Sequence, residues 1–514
     1  MKLPIGIQDF EKIRTGGYLY IDKTEHVYRL ASEGSYYFLS RPRRFGKSLL
    51  LSTIKALFLG KRELFKGLAI DQKEDWDWAV HPVLHLDLNT EKYDSKEKLE
   101  NLLNDFLVKE EAKYGRQESE TSLGLRFQGI IQRACEKTGQ RVVILVDEYD
   151  KPMLQAIGNK ELQDEYRGTL KGFYGALKSM DGCIRFAMLT GVTKFGKVSV
   201  FSDLNNLEDI SLLRQYYDIC GISDEELLSY FDAEIDHLAE ENDMTREECI
   251  ARLRRMYDGY HFHQKAKGMY NPFSVLNTFK NREFGSYWFE TGTPTYLVEL
   301  LRRHHYNLEE MATSEVTADV LNSIDAESYD PIPVIYQSGY LTIKGYKERF
   351  GKYILGFPNE EVEKGFVRYL APFYLSKKES RSAFDVEKFS EDVETGLPEQ
   401  FCRRLQTLFA SAPYDTEMTR EGNYQNVVWV VFKMMGFYTE AEYKTSDGRI
   451  DLLIETPQYR YVIEFKLDGT AEEALQQIKD KQYTLQYELD SKKTFMIGMN
   501  FSKETRTIEE WRIE

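Results

Sequence analysis

The stretch that most restricts how this chain can fold is Tyr36–Leu59. A short apolar strand, Tyr36–Ser40, runs through Arg41-Pro42-Arg43-Arg44-Phe45-Gly46-Lys47-Ser48 into a helix, Ser48–Leu59. Strand, tight loop and helix in that order leave the first backbone N–H groups of the helix open at a strand end. There they and the helix dipole attract an anion. In such a loop Lys47 neutralises the β/γ-phosphate charge and the Ser48 hydroxyl joins a Mg²⁺ shell. Arg43, Arg44, Phe45, Gly46 and Leu49 are the further candidate nucleotide contacts. The match to GxxxxGK[ST] is incomplete, because Arg41 stands where the first glycine belongs. A non-glycine residue in the left-handed region costs about 1–2 kcal/mol. The loop is therefore expected to enter by another backbone route, with Pro42 fixing one φ angle. On its own, a GKS tripeptide fits a surface helix start equally well.

Three more apolar runs follow, Val83–Leu88, Arg141–Val146 and Ile184–Leu189, each separated from the last by helical sequence. Near-continuous apolar strands alternating with helices point to an α/β fold with a parallel sheet covered on both faces. The third run ends in Asp147-Glu148, 100 residues beyond Lys47. At the carboxyl end of a central strand, Asp147 can hold Mg²⁺ through water and Glu148 can polarise an attacking water. Thr190 ends the fourth run, where it can sense a γ-phosphate; turn chemistry explains a threonine there just as well.

At 514 residues the chain exceeds one ordinary core, so about three domains are expected. With 42% apolar and 30% charged residues it reads as globular and not disordered. No run reaches the roughly 18 apolar residues of a membrane span. Pro4, Asp9 and Glu11 break up the N-terminal segment, which argues against a signal peptide. Five cysteines, at 135, 183, 220, 249 and 402, lack CxxC spacing. The expected compartment is the cytoplasm. A net charge of −16 argues against nucleic-acid binding by the whole surface, so any such contact must be focused in a groove.

From about Ser223 the sequence turns helical and charged, and 332–357 reads as a helix followed by a hairpin, an order compatible with a winged helix. A charged helical stretch, Ser376–Phe409, leads into the last domain. There Gly448–Ile454 and Arg460–Leu467 read as two strands joined by a turn at Thr456-Pro457-Gln458-Tyr459. A symmetric hairpin centred between Pro457 and Gln458 places Asp451 opposite Glu464, with Cβ atoms about 4.5–5.5 Å apart. Lys466, two residues on, shares that face. Two carboxylates can grip a divalent cation, and a lysine can orient or deprotonate the attacking water. A one-residue slip would destroy this arrangement. The competing reading is an amphipathic hairpin with a surface ion pair. Glu421, ahead of the apolar helix Val427–Met435, is a candidate third metal carboxylate, and Gln477 in AEEALQQIKDKQY a candidate catalytic amide. The pairs His261/His263 and His304/His305 lack ligand partners at suitable spacing.

The segments LPIGIQDFEKIR, YLYIDKT, YFLSRPRRFGKSLLLSTIKALF, VDEYDKP, LTGVTKF and FSDLNNLEDI together resemble the bacterial AAA-ATPase-like family. YDGYHF, YNPFSVLNTF, YWFETGTPTYL and YQSGYLTI extend the resemblance to about Ile343. The arginine-for-glycine loop belongs to that family's pattern. The resemblance implies an ATP-binding domain followed by a PD-(D/E)XK nuclease domain, which GRIDLLIE and YVIEFKL also resemble.

The expected layout is a P-loop ATPase domain over 1–215, a helical and winged-helix-like segment over 216–375, and a restriction-endonuclease-like α/β domain over 376–514. The expected cofactors are ATP and Mg²⁺, with Mn²⁺ an option at the nuclease centre. The expected partner is nucleic acid, DNA before RNA, with no membrane and with room for a homo-oligomer. The rival reading is an ATP-driven switch or scaffold in mobile-element or defence biology whose nuclease fold only binds.

Overall fold

The computed structural model describes residues 2–194, 206–289, 301, 308–322, 330–374, 386–411, 426–427, 429–431, 433–434, 440–443, 452–484, 491–502, 504–505 and 507–514. Contacts divide the chain into two units, Met1–Leu300 with Ala312–Val362, and Leu301–Met311 with Glu363–Glu514. The first unit thus takes in most of the middle segment as well as the N-terminal one.

In the first unit the apolar runs form a five-stranded sheet of β1 (Tyr36–Ser40), β2 (Val83–Asp87), β3 (Val142–Asp147), β4 (Ile184–Gly191) and β5 (Glu208–Asp209). All pairs are parallel and the order is β2-β3-β4-β1-β5. Every residue of β3 is buried, as a strand covered on both faces requires. β4 lies between β1 and β3, so the loop after β1 and the acidic pair after β3 flank the tip of the intervening strand. Ligands of open parallel sheets collect at these carboxyl ends.

The helices that follow announce their starts in sequence. Ser223 with Glu226 and Thr245 with Glu248 form capping boxes for Asp224–Tyr230 and Arg246–Tyr257. Asn271 caps Pro272–Asn281, with Pro272 in the first turn. Their apolar faces meet in a cluster that includes Leu227, Phe231, Leu253 and Phe279. Beyond them, β6 (Glu315–Thr317), the helices Ala318–Asn322 and Ile332–Gln337, and the hairpin of β7 (Thr342–Lys347) and β8 (Lys352–Gly356) follow in order. The sheet order β6-β8-β7, all antiparallel, is that of a winged helix. Its second helix is buried at Ile332–Ile335 and at Gln337, which removes it as an exposed reader of a DNA groove.

The second unit carries a mixed sheet in the order β13-β12-β11-β10-β9, made of β9 (Glu440–Tyr443), β10 (Leu452–Glu455), β11 (Tyr459–Leu467), β12 (Lys493–Ser502) and β13 (Thr507–Ile513). β10 and β11 pair antiparallel, whereas β11 and β12 run parallel. The helix Ala471–Asp480 makes the crossover between them, started by the Thr470–Glu473 capping box. Leu475 and Ile478 pack this helix onto Leu453 and Val462.

Candidate functional sites

The loop after β1 wraps around its own lysine. Lys47 is 3% exposed, and its Nζ donates to the carbonyls of Arg41 (3.1 Å) and Pro42 (3.3 Å). The same ammonium stands 3.4 Å from Glu148 Oε1. The left-handed residues of the loop are Arg44 (φ 64°) and Gly46 (φ 98°), not Arg41. The chain therefore takes a different path from a loop that begins with glycine. No side chain caps the helix Lys47–Phe58, so its first N–H groups face the loop without a protein acceptor from a capping residue.

Distant residues hold the loop from behind. Arg41 is buried, and its guanidinium donates to the carbonyls of Ser40 (2.9 Å), Ser211 (2.8 Å) and Tyr216 (2.9 Å). It lies 3.9 Å from the centroid of Phe262, and burial pushes its pKa down to about 10. Arg44 lies over Phe273 at 3.8 Å, which offsets part of its backbone cost. Phe45 is enclosed by Tyr260 and Phe262, with ring centroids 4.8 and 5.4 Å away. Trp288 Nε1 donates to the Arg43 carbonyl at 3.0 Å. Gly339 lies against Pro42: a Cβ on Gly339 would come 2.6 Å from Pro42 Cβ. The YDGYHF and YQSGYLTI segments thus brace the loop. His261 belongs to this aromatic turn, its Nδ1 2.9 Å from the Gly259 carbonyl; His304 and His305 lie outside the described residues.

At the neighbouring strand tips, Asp147 is 5% exposed and both of its hydrogen bonds among the described residues fall on Oδ1. The donors are Thr190 Oγ1 at 2.6 Å and the Glu148 N–H at 3.1 Å. Glu148 is itself left-handed, φ 52°. Asp87, at the tip of β2, pairs in register with Asp147. Beside Gly46 and Leu49 opens a mainly apolar cavity of about 100 Å³, lined by Leu19, Tyr20, Ile21, Ile219 and Leu276.

In the second unit the hairpin pairs Leu452 with Ile463, Leu453 with Val462, Ile454 with Tyr461 and Glu455 with Arg460. This is the register the turn sequence implies. Asp451, expected opposite Glu464, lies outside the described residues, as does Glu421. Glu464 is 2% exposed. Gln477 links the two remaining polar groups: its Nε2 donates to Glu464 Oε1 and its Oε1 accepts from Lys466 Nζ. Among the described residues no three His, Cys, Asp or Glu side chains gather at metal-ligand spacing.

Comparisons with known proteins identify two domains in the chain. A family model described as "Predicted AAA-ATPase" matches residues 4–201, and one described as "PD-(D/E)XK nuclease superfamily" matches residues 419–511. The chain is also 37% identical over 529 residues to the "Uncharacterized protein in vnfD 5'region" of Azotobacter chroococcum mcd 1, covering 100% of this chain and 99% of that protein. This chain belongs to the AAA-ATPase-like family and ends in a PD-(D/E)XK nuclease superfamily domain.

Within the AAA-ATPase-like unit, the sequence reading assigned no role to Asp150, although VDEYDKP contains it. Asp150 is wholly buried, and its Oδ2 accepts from the N–H groups of Val192 (3.1 Å) and Thr193 (2.6 Å) and from Thr193 Oγ1 (2.6 Å). Burial first, then the Glu148 charge, pushes its pKa up to about 6. A third acidic residue just after the Asp147-Glu148 pair was the available signal. Trp288, Gly339 and Gln337 gave no local signal, because they reach the loop and β4 from the far end of the unit. No described helix is long and apolar enough to cross a membrane.

Proposed function

We propose that this chain binds ATP with Mg²⁺ at the ends of β1, β3 and β4, hydrolyses it, and uses it to control a metal-dependent nuclease centre that acts on DNA. The observation carrying the nucleotide half is the convergence of Lys47, Asp147, Glu148 and Thr190 on one edge of a parallel sheet. Phosphate would meet the uncapped helix N-terminus, with Lys47 exchanging a present partner for a phosphate oxygen. Arg43, Arg44, Phe45 and Leu49 shape the surrounding loop. The apolar cavity beside Gly46 offers the base a desolvated seat.

The donor set fits a hard cation held partly through water. Ser48 supplies a hydroxyl, and Asp147 keeps Oδ2 clear of hydrogen bonds among the described residues. A bound Mg²⁺ there would neutralise phosphate charge. Glu148 orients the attacking water and takes up its proton once Lys47 turns to phosphate.

For the nuclease half, the register of Leu452–Glu455 is the one on which Asp451 is expected to face Glu464, and Gln477 hydrogen-bonds to both Glu464 and Lys466. Asp451, Glu464 and Glu421 would hold Mg²⁺ or Mn²⁺, which supplies Lewis acidity at the phosphodiester. Lys466 faces the nucleophile, oriented by Gln477. The test is to incubate the purified protein with Mg²⁺ or Mn²⁺, with and without ATP, on linear, nicked and branched DNA. Metal-dependent cleavage whose rate changes with ATP is expected. ATP hydrolysis without cleavage on any of the three would leave a switch or scaffold as the better description.

A further inference from the structure

The turn after β3 is fastened to the end of β4 by two neighbouring residues, Tyr149 and Asp150. Tyr149 N–H donates to the Thr190 carbonyl at 3.0 Å, and Tyr149 OH donates to the Thr193 carbonyl at 2.9 Å. Asp150 adds its three hydrogen bonds to Val192 and Thr193. Next along the chain, the Lys194 N–H is held by Gln337 Oε1 at 2.6 Å, and Gln337 Nε2 donates to the Leu321 carbonyl. Residues 190–194 are therefore gripped from the β3 turn on one side and from the winged-helix segment on the other.

Asp150 is an expensive choice for a mere tie. A carboxylate with no solvent exposure loses its hydration, and hydrogen bonds must make up for that loss. Its Oδ1 has no hydrogen-bond partner among the described residues. Gly191 makes room for it: a Cβ there would stand 2.5 Å from Asp150 Oδ1 and 2.7 Å from the Tyr149 ring. The two residues fit only together. What the grip fixes is the residue just before the glycine, Thr190, whose hydroxyl orients Asp147.

We infer that Asp150 is a positioning residue for ATP hydrolysis, holding Thr190 against Asp147 by gripping Val192 and Thr193. The inference rests on the reading of the nucleotide site given above. It also separates binding from turnover. The groups that meet phosphate hang from Arg41, Phe45 and Trp288, whose side-chain contacts bypass Asp150, although the Arg41 N–H donates to the Gly191 carbonyl at 3.1 Å. Loosening the β3–β4 grip should therefore spare nucleotide affinity and cost rate.

Four variants of the full-length protein test this, each checked by thermal melting, ATP titration and steady-state hydrolysis. Asp150→Ala removes all three hydrogen bonds and should lower kcat about ten-fold or more with ATP affinity within about two-fold of the parent. Gly191→Ala leaves Asp150 in place but drives the two strand ends apart, and should give the same split. Thr193→Val removes a single donor and should fall between. Asp150→Asn can place its carbonyl oxygen where Oδ2 stands, accept all three hydrogen bonds, and restore most of the rate. Unchanged kcat in Asp150→Ala and Gly191→Ala overturns the inference, as does an equal loss of affinity and rate. So does a failure of Asp150→Asn to recover, which would mean that charge and not the grip matters. A parent protein that binds ATP without turning it over sinks the hydrolysis reading itself, and the inference with it.

Discussion

Thr190 Oγ1 donates a 2.6 Å hydrogen bond to Asp147 Oδ1 across the tips of two neighbouring strands. It fixes one oxygen of the carboxylate, and the proposed function assigns the other to a water-held cation. Thr190→Val keeps the shape and deletes the donor. A hydrogen bond to a charged group contributes about 1.5–3 kcal/mol, so turnover should fall about ten-fold or more. ATP affinity, read by titration calorimetry, should change little. Equal turnover in the two proteins would reduce Thr190 to turn chemistry.

Lys47→Ala removes the ammonium that the loop carbonyls and Glu148 share. ATP binding should be lost in a calorimetric titration while the circular dichroism spectrum is retained. Because the loop is also braced by Arg41, Phe45 and Trp288, the fold survives the substitution.

Glu148→Gln should bind ATP as the parent does and hydrolyse it about 10²–10⁴-fold more slowly, the usual cost of a lost general base. Phosphate release measured at saturating ATP gives the answer. Turnover at the parental rate would move water activation to another residue.

In the nuclease domain, separate roles predict separate failures. Asp451→Ala or Glu464→Ala should lose bound divalent cation together with cleavage, because each removes a hard oxygen ligand. Lys466→Ala should keep most metal affinity and lose mainly rate. Gln477→Ala should resemble Lys466→Ala, since it releases Lys466 from the amide that holds it. Glu421→Ala should weaken metal binding less. Calorimetry with Mn²⁺ beside a cleavage assay on each variant separates these outcomes.

The buried acid makes a prediction about stability. Burial, then the Glu148 charge, raises the Asp150 pKa to about 6, against the Thr193 hydrogen bonds and Lys47, which lower it. Its ordinary value is 3.8. Between these values the folded protein binds a proton that the unfolded chain does not, so this group destabilises the fold above pH 6 and ceases to do so as pH falls toward 4. Asp150→Asn removes the ionisation. The melting temperature of the variant should exceed the parent's by about 2 °C or more at pH 7.5, and the gap should narrow by pH 5. A gap that stays constant with pH would mean that Asp150 is neutral throughout.

Much of the architecture was legible because its signals are local. Buried parallel strands are continuous apolar runs, so β1 and β3 appear in sequence to within a residue. The hairpin register followed from a short turn, since strand pairing admits only whole-residue shifts and one of them buries Leu453 and Val462 together. Strand order was not legible. Nothing near β1 says that β4 separates it from β3, because that neighbour is chosen by packing across the whole sheet. The braces of the loop were illegible for the same reason: Trp288 meets the Arg43 carbonyl across 245 residues of chain. Asp150 was visible in its motif, but a carboxylate's partners cannot be read from spacing when they are backbone N–H groups on another strand.

Arg41 carries a lesson about transplantation. Its guanidinium slings the loop beneath the carbonyls of Ser211 and Tyr216, so loop and sling are one heritable part separated by some 170 residues. Restoring the glycine of the commoner pattern at position 41 would not repair a defect. It would strand those carbonyls and leave a hole over Phe262. Grafting the loop alone onto another sheet would deliver an arginine with nowhere to sit. A change at position 41 therefore places a matching demand on the segment around Ser211 and Tyr216.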